Sequence, residues 1–170
     1  MRGFQYSEDK SEAEGLLSKY SLDHPKVGVL ILRVCPVLGP HADNFIASAF
    51  SKRILVAAKG FDPPMQFIHE DDLVNNVIYC LREKTGGTFN LAGDGIIKWS
   101  EMAELHGRRV LKLPPKVLYA LAKISWILRI QRDSPACGLD FIRYRWTVSN
   151  DRAKRELGFE CQYSSSETWR

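Results

Sequence analysis

Apolar residues recur at helical spacing over 7–20, where Ala13, Leu16, Leu17 and Tyr20 share one side of a predicted helix. Asp23, His24 and Pro25 break that pattern. The run 27–33 (VGVLILR) is apolar without alternation, which predicts a strand covered on both faces within a parallel sheet. Pro36, Gly39 and Pro40 force a loop, and 44–53 reads as a helix. A second loop over 60–64 leads into a short extended piece at 65–68. The clearest amphipathic helix spans 70–82, with acidic residues in its first turn favouring the helix dipole. Gly86 and Gly87 make a turn before a short strand at 88–91. Ser100 is expected to cap a helix running to His106, and 109–113 reads as a brief strand. Pro114 and Pro115 open a long helix to about residue 132, and the last predicted helix, 151–157, is closed by Gly158. Alternating strands and helices predict a layered α/β fold, with no internal repeat and no long linker.

Composition narrows the class. A chain of 170 residues has room for one ordinary domain, and 45% hydrophobic with 26% charged residues argues for a packed core. The net charge of +4 permits an anionic ligand but falls short of a dedicated nucleic-acid binder. Four cysteines at 35, 80, 137 and 161 form no CxxC pair, so reduced thiols in a cytoplasm are expected rather than a secreted disulfide scaffold. The first ten residues are polar and carry no apolar signal region. The most apolar stretch, 117–130, is too short to span a bilayer and is interrupted by Lys123 and Arg129.

Tyr6 and Lys10 place a phenol and an ammonium four residues apart, on one face of a helix. A neighbouring cation favours a phenolate, which suits a general acid or base near neutral pH, and the same ammonium can hydrogen-bond a ribose. Spacing alone does not select this pair. Tyr119 and Lys123 repeat it, and two solvated helix residues would look the same. Of the other polar groups, His69, Glu70, Asp71 and Asp72 fall on different helix faces, so dipole pairing explains the acids better than a metal does. Arg143, Arg145 and Trp146 could stack on a base but read as a solvated face. Cys35, beside Pro36, reads as a small buried hydrophobe.

Context gives the Tyr6 pair its weight. Tyr6-x-x-x-Lys10 is followed by Leu32-Arg33-x-x-x-Val37-x-Gly39-Pro40, then by Gln66-Phe67-Ile68-His69-Glu70-Asp71-Asp72-Leu73 at a helix start. Next come Gly87-Thr88-Phe89-Asn90-Leu91-Ala92-Gly93 and Ala153-Lys154-x-Glu156-Leu157-Gly158-Phe159. In this order the chain resembles the NAD-dependent epimerase/dehydratase family, the extended short-chain dehydrogenases, from about Phe4 to its end. The resemblance implies a Rossmann-like NAD(P)-binding α/β fold with a small substrate-binding lobe. Residues 1–60 would be the remnant of the Rossmann-like domain carrying the YxxxK helix, and 61–170 mostly the lobe with late sheet strands. Tyr6 would be the catalytic acid/base and Lys10 its ribose-binding partner, both touching NAD or NADP. Pro36 and Val37 would pass near the nicotinamide ring, while Asn44, Gln66 and His69 would face substrate. The implied reaction is hydride transfer between a substrate carbon and the nicotinamide, with Tyr6 moving the hydroxyl proton.

Three departures qualify the likeness. Val34 stands where the family commonly has proline, and Met65 and Gln66 stand where many sugar-nucleotide enzymes hold a phosphate with arginine. A sugar-nucleotide substrate therefore loses ground to an apolar, sterol-like alcohol or ketone. No GxxGxxG or GxGxxG turn occurs, and Gly93-Asp94-Gly95 reads as a plain turn because Lys98 stands where a last glycine belongs. The chain thus looks like the C-terminal half of such an enzyme, truncated and inactive by itself. The strand at 27–33 then wants neighbours, so the chain is expected to be marginally stable, dimeric or dependent on a separate N-terminal piece. A sharp two-state melt of a stable monomer would contradict that expectation. The rival reading is a non-catalytic binding or regulatory module descended from the same family.

Overall fold

Short parallel strand pairs joined by helices build the molecule, as the alternating pattern predicts. The computed structural model describes residues 5–42, 54–83, 85–130 and 136–170. Asn44 and the helix expected over 44–53 lie outside the described residues.

The chain opens with α1 (Gln5–Asp23) and enters β1 (Leu30–Val34), which pairs in parallel with β6 (Gly87–Leu91) from Leu30↔Gly87 to Val34↔Leu91. β2 (Val37–Leu38) pairs in parallel with β5 (Ile68–His69), and β3 (Ile54–Ala58) with β8 (Arg109–Leu113). β4 (Pro64–Met65) and β7 (Ile97–Lys98) form the antiparallel pair. Helix α2 (Glu70–Arg82) follows β5, α3 (Trp99–Leu105) follows β7, and α4 (Pro115–Ile127) follows β8. A 3₁₀ segment (Ala136–Ile142), α5 (Asp151–Leu157) and α6 (Ser165–Trp169) complete the order.

Among the described residues two apolar cores result. One gathers Leu38, Leu55, Met65, Phe67, Ile97, Trp99, Met102 and Trp169, and Phe67 is fully buried, worth about 2–3 kcal/mol of transfer free energy. The other packs Ile68, Cys80, Phe89, Leu91, Leu157 and Phe159 beneath β1 and α2. Helix α2 matches its expected limits, and Gly158 closes α5 at φ +64°, the left-handed conformation that glycine adopts without strain.

Other expectations change. The strand expected over 27–33 is observed at Leu30–Val34 and, among the described residues, pairs on one edge alone; Leu30, Ile31 and Leu32 are half-buried and Arg33 and Val34 exposed, so its faces are not fully covered. Helix α1 shows no buried residue, and Leu16, Leu17 and Tyr20 stay exposed. Ser100 does not cap α3; its backbone N–H and hydroxyl both bind the Asp62 carboxylate, while Glu101 accepts from the Lys98 N–H. Helix α4 stops at Ile127 rather than near 132, because Arg129 turns left-handed at φ 56°. Strand β3 and helix α6 were not expected at all.

Candidate functional site

Tyr6 and Lys10 share a face of α1, with the Lys10 ammonium 5.5 Å from the Tyr6 ring centroid. Tyr6 as a residue is 64% exposed, which leaves it open to a ligand. Glu14, one turn beyond Lys10, pairs with Arg33 of β1 and ties the helix to the strand that leads to Pro36 and Val37. That pairing holds the Glu14 carboxyl below its ordinary value.

The competing pair differs in its surroundings. Tyr119 donates its hydroxyl to Asp140, and burial followed by that hydrogen bond pushes the phenol up to about 12. A phenol so held is a poor proton shuttle near neutral pH. Of the two Tyr-x-x-x-Lys pairs, the geometry leaves Tyr6 with the accessible one.

The loop expected from Pro36 to Pro40 is interrupted by β2, so Pro36 and Val37 lie beside β5 and His69 as the start of a strand. Val37 pairs with Ile68 and Leu38 with His69, and the Pro36 carbonyl accepts from the Ile68 N–H at 3.1 Å. His69 caps α2 through Nδ1, which accepts the Asp71 N–H at 3.2 Å, and its ring lies 4.2 Å from that of Tyr163. This ring pair borders a cleft of about 450 Å³ whose lining includes Leu38, Pro40, His106, Arg108 and Trp169. Among the described residues the lining takes in His69 but not Tyr6, Lys10, Pro36, Val37 or Gln66.

Gln66 is buried, and its carboxamide serves the backbone around it. Its Oε1 accepts the Val148 N–H at 2.7 Å, and its Nε2 points to the Gly93 carbonyl at 3.5 Å. Glu70 is held by His41, whose backbone N–H donates to it at 3.0 Å and whose ring lies at 2.8 Å. Desolvation raises the Glu70 carboxyl, and the His41 hydrogen bonds outweigh it, leaving the group below its ordinary value. Arg143 is not the solvated residue expected; its guanidinium lies over Phe61 at 4.8 Å and Tyr144 at 4.9 Å. Trp146 likewise turns inward against Phe141, with centroids 4.4 Å apart. Burial pushes the Cys35 thiol up to about 12 and the Cys161 thiol to about 11, so neither is a ready nucleophile.

The sequence marks Asp72 only as a dipole-pairing acid; the residue is 1% exposed and organises the cleft wall. Its two oxygens accept the N–H groups of Gln162 at 3.0 Å and Tyr163 at 3.1 Å, which holds the backbone that carries the Tyr163 ring against His69. Asp72→Ala is expected to cost about 2–3 kcal/mol in urea unfolding, because two backbone donors lose a charged acceptor. A loss below about 0.5 kcal/mol would show the loop to be held by something else. The Gly93-Asp94-Gly95 turn is structural in the same way. Lys154 Nζ donates to Asp94 at 2.7 Å, lowering that carboxyl, and Asn150 Nδ2 adds a contact at 3.2 Å.

No family model matches the sequence. Among curated proteins, the chain is 23% identical over 167 residues to uncharacterized proteins of Mycobacterium tuberculosis and Mycobacterium bovis, covering 96% of this chain and 43% of theirs. Among solved structures, it superposes on a dTDP-glucose 4,6-dehydratase from Bacillus anthracis in complex with NAD, with a TM-score of 0.65 and 14% identity over 96% of this chain and 49% of that one. A UDP-glucose-4-epimerase from Stenotrophomonas maltophila with bound NAD gives a TM-score of 0.60 and 16% identity over 96% of this chain and 53% of that one. The chain thus spans about half the length of the proteins it matches. It has a Rossmann-like α/β fold, shared with an NAD-binding dehydratase and an NAD-binding epimerase.

Proposed function

We propose that this chain carries the catalytic Tyr/Lys helix and part of the substrate side of an NAD(P)-dependent oxidoreductase of the epimerase/dehydratase kind. The observation that carries the reading is the accessible Tyr6 phenol with the Lys10 ammonium 5.5 Å from its ring centroid. The likeness in fold to NAD-binding enzymes supports it.

The residues present fit one end of the dinucleotide. The Lys10 ammonium suits ribose hydroxyls as a charge-assisted donor, and Tyr6 suits a substrate hydroxyl or carbonyl oxygen. Pro36 and Val37, where β2 pairs with β5, would border the nicotinamide end. When bound, a nicotinamide supplies the donor or acceptor of a hydride. Tyr6 then holds and moves the proton on the substrate oxygen, while Lys10 keeps a positive charge beside the phenol. His69, packed against the Tyr163 ring at the cleft, would face substrate, and Gln66 would act by holding 148 and 93 in place. Asn44 belongs to the same substrate side by resemblance. The pyrophosphate would be received by a glycine-rich turn outside these 170 residues, supplied by an N-terminal half or partner chain. An apolar alcohol or ketone is the favoured substrate class, since no arginine stands at Met65 or Gln66 to grip a diphosphate.

Cofactor titration tests this reading. NADH and NADPH are titrated by fluorescence into the protein purified with whatever polypeptide accompanies it in its own cells. Saturable binding is expected, weakened roughly tenfold or more by Lys10→Met through the lost charge-assisted hydrogen bonds. Binding that ignores Lys10→Met, or no binding, would favour the non-catalytic module instead.

A further inference from the structure

Helix α4 turns its apolar side outward. Its inner side is set by Leu118, which is buried, and by Tyr119, Ala122 and Ser125, which are half-buried. On the opposite side Val117, Leu121, Ile124 and Leu128 follow one another at intervals of four, three and four residues, the spacing of a single stripe. Their exposures run from 45% at Val117 to 63% at Leu128, and Ile127 and Ile130 extend the patch at 66% and 74%. A patch of this kind marks a surface that meets another phase or partner.

Charge selects the occupant. From Gly107 to Ile130 the chain contains no Asp or Glu; α4 and its end carry Lys116, Lys123 and Arg129, all exposed, whereas Arg108 turns to the Trp169 ring at the cleft. Lys116 and Lys123 lie seven residues apart and so share one flank of the stripe. A second copy docked through this face would set these cations against their own images. An anionic bilayer surface would neutralise them while the lysine stems reach outward along the apolar stripe. None of the described helices is long and apolar enough to cross a membrane, so the contact would be in the interface plane. We propose that α4 is an interfacial anchor that seats the protein on anionic phospholipid headgroups.

Cosedimentation of the full chain with vesicles tests it, using phosphatidylcholine alone or mixed with phosphatidylglycerol. Binding is expected only to the mixed vesicles and should fall severalfold at high salt. Leu121→Glu combined with Ile124→Glu should lower it at least tenfold with unchanged circular dichroism, since both side chains are exposed. Lys116→Glu with Lys123→Glu should weaken it severalfold while leaving the apolar stripe intact. Equal binding to neutral vesicles or no binding to either would overturn the proposal. So would a concentration-dependent dimer that Leu121→Glu dissociates in place of vesicle binding.

Discussion

Tyr6→Phe is expected to lower turnover by roughly a thousandfold while leaving cofactor affinity within a factor of about two, the range set by removing a single general acid/base. The phenol oxygen is the only atom lost, and Lys10 keeps its ammonium on the same helix face. The split between rate and affinity therefore separates proton transfer from binding. Turnover is followed by nicotinamide absorbance against a panel of alcohols, ketones and nucleotide sugars, using the protein with its native partners. Tyr119→Phe is the control with identical spacing. Its phenol is engaged by Asp140 and pushed up to about 12, so its loss should change stability rather than rate. Unchanged turnover in Tyr6→Phe would remove the catalytic assignment and leave the binding-module reading.

Gly93→Ala is expected to destabilise the fold by about 3 kcal/mol or more, through forced displacement of backbone. A Cβ at Gly93 would meet the Phe67 carbonyl oxygen closer than real Cβ contacts come, with Ser165 N 3.4 Å away. The backbone approaches this closely because Gly93 N–H donates to that same carbonyl at 2.9 Å, and the Ser165 hydroxyl bridges 67, 93 and 95. Gly15→Ala is the contrast. Nothing lies within 4 Å of its Cβ position in α1, so the change should stabilise that helix by about 0.5–1 kcal/mol. Urea unfolding reads both. A Gly93→Ala midpoint close to the wild type would mean that the 67–93–165 junction is looser than described.

What the sequence revealed depended on how local each signal was. Helix α2 was legible because its acidic first turn and its apolar positions all lie within thirteen residues. Helix α6 went unseen: its Ser164/Glu167 capping box is local, but a five-residue helix offers no periodicity to draw attention to it. Strand β3 is a short apolar run whose identity comes from its pairing with β8, more than fifty residues later. In α1 the pattern correctly indicated an apolar side at Leu16, Leu17 and Tyr20 but could not say whether anything covers it. The cleft drew on Leu38, His69, Arg108, Tyr163 and Trp169, which come together only through long-range pairing. His69 was singled out by its motif, whereas Asp72 looked like an ordinary helix-start acid until its burial and its two backbone donors were known. Gln66 was picked out by the same motif, and its amide turned out to bind the protein's own backbone.

The central claim is that Tyr6 and Lys10 together address a bound nicotinamide dinucleotide. A crystal structure of the protein with its native partners and NADH or NADPH tests this most directly. The account predicts Lys10 Nζ within about 3 Å of the ribose hydroxyls, and Tyr6 Oη facing the space beside the nicotinamide where a substrate oxygen would sit. A dinucleotide seated away from α1, or a Tyr6 phenol turned from the Lys10 side of the helix in that complex, would contradict it.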